Sequence, residues 1–99
     1  IAARRAQAVQ AARAAAAAAA PFGVRVIVFG SLATGGFHRS SDLDLALDGP
    51  EEAMFEAGNA AFAAALPFGF EPDVVELSRV SAGFADRIRK DGRDPSDLE

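Results

Sequence analysis

The sequence predicts an α/β (α+β) fold in which helices flank a small mixed β-sheet. Three observations predict it: an Ala-rich segment over residues 2–19, short segments of β-branched or alternating apolar residues, and Gly or Pro between these segments. A chain of 99 residues can form one domain around one core. We therefore expect a single domain over 1–99, with a core over 22–92 and a short tail over 93–99.

The first elements are predicted to be a helix and a buried strand. Residues 2–19 are mostly Ala with Arg and Gln, which have high helix propensity, and Pro21 and Gly23 end this segment. Residues 24–29 are rich in β-branched side chains and stop at Gly30, which is typical of a buried strand. We expect the Ala-rich helix to lie on the sheet through its Ala face.

Strands and a helix are predicted to follow in the second half of the chain. Leu43, Leu45 and Leu47 alternate with acidic or small residues, which predicts a strand with one apolar and one acidic face. Residues 51–66 read as a helix, and residues 73–77 as a third strand. The larger apolar side chains of the helix are expected to be buried: Met54, Phe55, Phe62 and Leu66.

A last helix is predicted to start after Ser78 or Ser81, because serine caps helix N-termini well. Val80, Phe84 and Ile88 share one face of this helix at a spacing of four, and Gly92 ends it. Its basic side chains are expected to form a solvated face, with contact to a partner protein as the alternative: Arg87, Arg89 and Lys90. Three phenylalanines fall in predicted loops, where exposure would mark a protein interface: Phe37, Phe68 and Phe70.

Composition and charge exclude several classes of function. The net charge is −4, residues 1–41 hold five Arg and no acid, and residues 42–77 hold nine acids and no base. No nucleic-acid partner is expected, because such a partner requires a basic face. The absence of Cys fits a cytoplasmic location. His38 is the only histidine, so no histidine-based metal site or triad is expected. No apolar segment is long enough for a membrane span, so no membrane partner is expected.

Asp42 and Asp44 are the main candidates for a chemical site. Residues two apart on a strand point to the same face, roughly 6.5 to 7 Å apart along the chain. A divalent cation would turn the repulsion of the two carboxylates into a ligand set, and oxygen ligands without Cys favour Mg²⁺ or Mn²⁺. Since magnesium takes further ligands from substrate phosphates, the pair implies a phosphate-bearing substrate. The plain alternative is a solvent-facing acidic strand.

Gly30, Ser31 and Asp73 extend this candidate site. Glycine permits close approach of the main chain, and the Ser31 hydroxyl with the following N–H groups can hold phosphate oxygens. A third carboxylate is needed if two metal ions are to be held, and Asp73 at the start of the third strand is the candidate. A Gly-Ser pair alone more often marks a turn, and an acid after Pro72 could simply begin a strand.

These residues together resemble the signature of the polymerase-β-like nucleotidyltransferase superfamily. The signature is a Gly-Ser pair, an Asp-x-Asp motif after ten residues, and an Asp on a later strand. The chain is most similar to the minimal nucleotidyltransferases, which are short single-domain proteins, and the resemblance covers about residues 22–92. One departure is Thr34, where many relatives carry Arg. The matching segments are Phe-Gly-Ser at 29–31, Ala-Thr-Gly at 33–35 and Ser-Asp-Leu-Asp-Leu at 41–45.

The resemblance implies a nucleotidyltransferase fold and an activity. A nucleoside monophosphate would pass from an NTP such as ATP to an acceptor hydroxyl, with release of pyrophosphate. Asp42 and Asp44 would hold the metal ions, Mg²⁺ or Mn²⁺, and Asp73 would complete the ligand set or accept the hydroxyl proton. The resemblance also implies a set of nucleotide-binding residues: Gly30, Ser31, Thr34 and Ser41.

A protein partner is also implied by the resemblance. Many minimal nucleotidyltransferases are antitoxins encoded beside a HEPN-domain ribonuclease toxin, and they are similar to protein AMP transferases that modify a tyrosine of the toxin. A HEPN toxin is therefore the expected partner, in a homo- or hetero-oligomer. Two alternatives remain: a non-catalytic toxin-binding subunit that senses ATP, motivated by Thr34, and a transferase for a small molecule such as an aminoglycoside.

Overall fold

The computed structural model describes residues 2–38 and 40–99. One sheet contains β1 (Arg25–Phe29), β2 (Asp44–Asp48) and β3 (Asp73–Glu76) in that order. β1 and β2 are antiparallel, whereas β2 and β3 are parallel, so the sheet is mixed and the predicted fold class is confirmed. The α-helices are α1 (Ala2–Ala19), α2 (Ser31–Thr34), α3 (Met54–Ala65) and α4 (Ala82–Asp91).

Helices cover both faces of this sheet. One face packs against α1 and α3, and the other packs against α4, so two apolar clusters form on opposite sides of the strands. The alternation of side chains along each strand decides which residue enters which cluster. Strand residues on the α1/α3 face are Val26, Val28, Leu45, Leu47 and Val74. On the α4 face they are Ile27, Phe29, Ala46 and Val75.

α1 and α3 meet through small side chains, which corrects part of the predicted core. Met54 is buried as expected, but Phe55 is 79%, Phe62 37% and Leu66 44% exposed. An Ala face on each helix allows close approach of the two backbones, and this packing turns the large apolar side chains of α3 away from α1. The Ala residues that α3 buries are Ala57, Ala61 and Ala65.

The phenylalanines of the predicted loops are mostly buried. They therefore do not form the protein interface that their exposure would have indicated. Phe37 and Phe70 are buried and pack on each other, with ring centroids 6.4 Å apart. The Arg4 guanidinium of α1 lies over the Phe70 ring, 4.0 Å from its centroid. Phe68 is partly buried against the same cluster. These rings therefore join the loops to α1.

α4 begins and ends where the sequence predicts. The Ser81 hydroxyl accepts a hydrogen bond from the Phe84 N–H, so Ser81 caps the helix, and Gly92 follows its last turn. Ile88 is buried, and Phe84 packs edge-on against Phe29 with ring centroids 5.6 Å apart.

Beyond Gly92 the chain returns to the sheet. Arg93 pairs with Val28 through two main-chain hydrogen bonds of 2.8 Å, on the outer edge of β1. Among the described residues, no helix combines the length and apolar character that crossing a membrane requires.

Candidate active site

The register of the sheet brings two of the predicted carboxylates together. Phe29 on β1, Asp44 on β2 and Asp73 on β3 are direct neighbours across the sheet. Asp44 and Asp73 lie two residues before Ala46 and Val75, so all four side chains share the face covered by α4. Adjacent strands are about 4.7–4.9 Å apart, which places the two carboxylates side by side at one end of the sheet.

Asp42 belongs to the same acidic cluster, although it lies outside the strand. β2 begins at Asp44, so the prediction that both members of the Asp-x-Asp motif are strand residues is wrong for Asp42. The Leu43 carbonyl still accepts a 2.9 Å hydrogen bond from the Asp73 N–H. Asp42 is exposed, and its charge nevertheless acts on Asp44.

The pKa of Asp44 responds both to its burial and to its acidic neighbours. Partial burial is the largest cause that raises its pKa, followed by the negative charges of Asp73 and then of Asp42. Burial and nearby like charges both disfavour an ionised carboxylate. A cation bound beside Asp44 would favour its ionised form and so oppose both effects.

Gly30 connects the end of β1 to this cluster at very close range. Its φ of 74° and ψ of −152° lie in a region that glycine alone adopts readily. A Cβ at this position would overlap the Asp44 Oδ2 atom and would lie 3.2 Å from Cγ. Gly30 therefore allows the main chain to pass against the carboxylate, and Ser31 follows directly as the first residue of α2.

Thr34 and Ser41, the other predicted nucleotide-binding residues, make hydrogen bonds within the protein. The Thr34 hydroxyl donates to the Gly30 carbonyl at 3.2 Å. Ser41 is buried, and its hydroxyl oxygen accepts from the His38 N–H at 2.9 Å. Both hydroxyls stabilise the turns that flank the acidic cluster, and their contact with a nucleotide stays a prediction.

The acidic cluster fits a hard divalent cation in its donor chemistry. Carboxylate oxygens are the ligands that Mg²⁺ and Mn²⁺ prefer. In the part of the chain that the structure describes, no three His, Cys, Asp or Glu side chains already enclose a metal position. Magnesium commonly keeps coordination positions for water and substrate phosphates, and its binding at these carboxylates stays a prediction.

The structure also places a basic side chain, Arg87, near the acidic cluster. A cavity of about 300 Å³ lies between α2 and α4, and its wall includes Gly30, Thr34 and Arg87. Arg87 was predicted on a solvated helix face, with contact to a partner protein as the alternative. Its position here depends on how α4 packs against β1, and no local pattern around residues 87–90 reports that packing.

The chain matches the model of one protein family. The family model for the nucleotidyltransferase domain matches residues 11–94. The chain belongs to this family. No curated protein and no solved structure is significantly similar to it.

The matched region of this nucleotidyltransferase domain runs from α1 to just beyond α4. It contains all three strands and every candidate site residue described above. Membership supports nucleotidyl transfer as the general activity, and domains of this family generally use NTP substrates and divalent metal ions. The resemblance to the polymerase-β-like superfamily is thereby confirmed.

Proposed function

We propose that this nucleotidyltransferase domain transfers AMP from ATP to a hydroxyl group on another protein, a tyrosine of a HEPN-domain ribonuclease toxin, and thereby acts as an antitoxin. One observation carries the proposal: Asp44 and Asp73 are paired in register on one sheet face, with the charge of Asp42 beside them and Gly30 in contact with the Asp44 carboxylate. Family membership supplies the general reaction.

The three carboxylates have different roles in the proposed reaction. Asp42 and Asp44 would hold a divalent ion, Mg²⁺ or Mn²⁺, and Asp73 would complete the ligand set or accept the proton of the acceptor hydroxyl. When bound, such an ion offsets phosphate charge during phosphoryl transfer. Ser31 and the main chain at Gly30 hold phosphate oxygens beside the cluster. Positioning and electrostatics supply most of the rate in reactions of this kind.

The transfer is a single displacement at the α-phosphorus of ATP. The acceptor oxygen forms a bond to this phosphorus while the bond to the bridging oxygen of the pyrophosphate breaks. The hydroxyl proton passes to Asp73 if that carboxylate is the base, and otherwise to solvent, and pyrophosphate carries away the electron pair of the broken bond. The products are an AMP ester of the acceptor and free pyrophosphate.

Exposure of the carboxylates favours an acceptor on a protein surface. Asp42 and Asp73 are both exposed, and Asp44 is only partly covered. A tyrosine presented by a folded partner can therefore reach the cluster, and the partner would supply the surface that a small domain lacks. This accessibility, together with the resemblance to minimal nucleotidyltransferases, supports a toxin as the acceptor.

The test combines the purified protein, labelled ATP, Mg²⁺ and the HEPN protein encoded beside it, followed by intact mass measurement of both chains. We expect the partner to gain one or more AMP units. Asp42→Asn and Asp44→Asn should lower the transfer rate by about a hundredfold or more, since each removes a carboxylate ligand of the divalent ion that would offset the phosphate charge. Asp48→Asn is the matched control, because Asp48 is exposed at the opposite end of β2.

Other outcomes would contradict this proposal in specific ways. A stable complex with unchanged masses would favour the non-catalytic, ATP-sensing subunit. Transfer to an aminoglycoside with an unmodified HEPN protein would favour a small-molecule acceptor. Asp42→Asn and Asp44→Asn variants that stay as active as Asp48→Asn would exclude the acidic cluster as the active site.

A further inference from the structure

A cavity beside the acidic cluster contains a basic side chain that has no role so far. The cavity has a volume of about 300 Å³ and lies between α2 and α4. Apolar side chains from β1 and α4 form its floor, and a glycine, a hydroxyl and two charged groups line its rim. The floor consists of Phe29, Phe84 and Ile88, and the rim consists of Gly30, Thr34, Arg87 and Asp91.

This cavity adjoins the carboxylates through two shared residues. Phe29 lies in its floor and is also the cross-strand neighbour of Asp44. Gly30 lies in its rim and also contacts the Asp44 carboxylate group closely enough to exclude a Cβ. A ligand that crosses Gly30 therefore reaches the acidic cluster with one end and the cavity with the other.

Arg87 is the feature of this cavity that could attract an anion. Among the described residues that line the cavity, Arg87 is the one basic side chain. It is exposed and makes no salt bridge or hydrogen bond to the described part of the chain. The neighbouring Ile88 is buried, and the Phe84–Phe29 contact fixes the first turn of α4, so the helix presents Arg87 at a defined place.

Two further groups narrow the position of such an anion. Asp91, one turn after Arg87 on α4, repels an anion and so favours binding at the Arg87 end of the rim. The Thr34 hydroxyl is neutral and already donates to the Gly30 carbonyl. Residues 30–36 contain no basic side chain, so the turn after β1 cannot itself neutralise a polyphosphate.

We propose that Arg87 binds the terminal phosphates of the nucleoside triphosphate from across the cavity, while the α-phosphate lies at the acidic cluster. The inference rests on the proposed nucleotidyl transfer. A guanidinium group presents paired N–H donors that match phosphate oxygens, and it stays charged at any working pH. Arg87 thus supplies from α4 the positive charge that the turn containing Thr34 lacks.

The experiment measures the dissociation constants of ATP, pyrophosphate and AMP by calorimetry in the presence of Mg²⁺. Arg87→Ala should weaken binding of ATP and pyrophosphate about tenfold to a hundredfold, the range expected for loss of a charged hydrogen-bonding group. AMP binding should change less than twofold, since AMP lacks the terminal phosphates. Arg89→Ala is the matched control, because Arg89 is exposed on the same helix and does not line the cavity.

A second variant tests the position rather than the charge alone. Thr34→Arg, introduced into the Arg87→Ala protein, places a guanidinium on the opposite rim of the same cavity and should restore at least half of the lost affinity for ATP. Circular dichroism checks that each variant keeps its helices.

The outcomes separate this inference from the proposed function. If the unmodified protein binds neither ATP nor pyrophosphate, the proposed function itself fails. If it binds ATP and Arg87→Ala binds equally well, only the assignment of Arg87 is overturned. If Arg87→Ala weakens AMP as much as ATP, Arg87 does not contact the terminal phosphates, and the assignment is also overturned.

Discussion

Gly30→Ala is expected to destabilise the protein and to disturb the acidic cluster at the same time. At φ 74° and ψ −152° an alanine backbone is strained by about 1–3 kcal/mol. The added Cβ also overlaps Asp44 Oδ2, and moving that carboxylate off its rotamer costs about 0.5–1.5 kcal/mol. The two effects together lower the free energy of unfolding by about 1.5–4.5 kcal/mol, which shifts Tm downward by roughly 6–36 °C in a domain of this size.

Urea unfolding followed by circular dichroism measures this loss, and two neighbouring glycines serve as controls. Gly35 has a φ of 90° with no atom within 4 Å of an added Cβ, so Gly35→Ala tests backbone strain alone. Gly36 has open space and no positive φ, so Gly36→Ala should stay within about 0.5 kcal/mol of the unmodified protein. The order of stability should be Gly36→Ala, then Gly35→Ala, then Gly30→Ala.

A double-mutant cycle isolates the overlap with the carboxylate. In an Asp44→Ala background the overlapping atoms are gone, so Gly30→Ala should cost about 0.5–1.5 kcal/mol less than it does with Asp44 present. This explanation would be refuted if the free energy of unfolding of Gly30→Ala lay within about 0.5 kcal/mol of that of the unmodified protein, the range typical of surface substitutions. It would also fail if the cost of Gly30→Ala were the same in both backgrounds.

Two further predictions concern Asp44 and Ser81. Because the pKa of Asp44 is raised in the folded state, its ionisation opposes folding as the pH rises through that pKa. Without divalent ions Asp44→Asn should therefore melt at a higher temperature than the unmodified protein at pH 7, with the difference vanishing at acidic pH. Added Mg²⁺ should raise the melting temperature of the unmodified protein but not that of Asp44→Asn. An equal rise in both proteins would contradict metal binding at Asp44. Ser81→Ala should lower the free energy of unfolding by about 1 kcal/mol in urea titrations, whereas Ser81→Asp should keep the cap. An equal loss of stability in both variants would contradict the capping role of the Ser81 side chain.

Local signals in the sequence predicted the elements that local chemistry controls. Gly30 ends β1 because its backbone conformation excludes other residues, and Ser81 begins α4 because its hydroxyl satisfies a main-chain donor. The alternation around Leu45 predicted which face of β2 is apolar. Each of these features depends on a few neighbouring residues, so one sequence is enough to find it.

The orientation of α3 could not be predicted in the same way. Hydrophobicity favours burial of Phe55 over Ala57, yet Ala57 is buried and Phe55 is exposed. The face that α3 buries is decided by its partner α1, whose own buried face is mostly Ala and accepts only small side chains at close range. This constraint comes from a segment more than thirty residues away in the sequence, so the composition of α3 does not reveal it.

The candidate site divides along the same line. The sequence assigned Asp44 and Asp73 to one candidate site, but it predicted neither their pairing in register nor the position of Asp42 just before β2. Arg87 escaped prediction because its relation to Gly30 exists only after α4 has packed on β1 through Phe84. The roles of these residues in binding stay predictions that the experiments above address.

The two edges of the sheet differ in how they resist association with other chains. Arg93 occupies part of the outer edge of β1, whereas β3 pairs only with β2 among the described residues. An unpaired strand edge is a template for aggregation, and short length and charged side chains are the usual safeguards. β3 has four residues and carries a carboxylate at each end, Asp73 and Glu76. The acidic residue that we assign to the reaction thus also protects the colloidal stability of the protein, so substitutions that remove charge from β3 change solubility as well as chemistry.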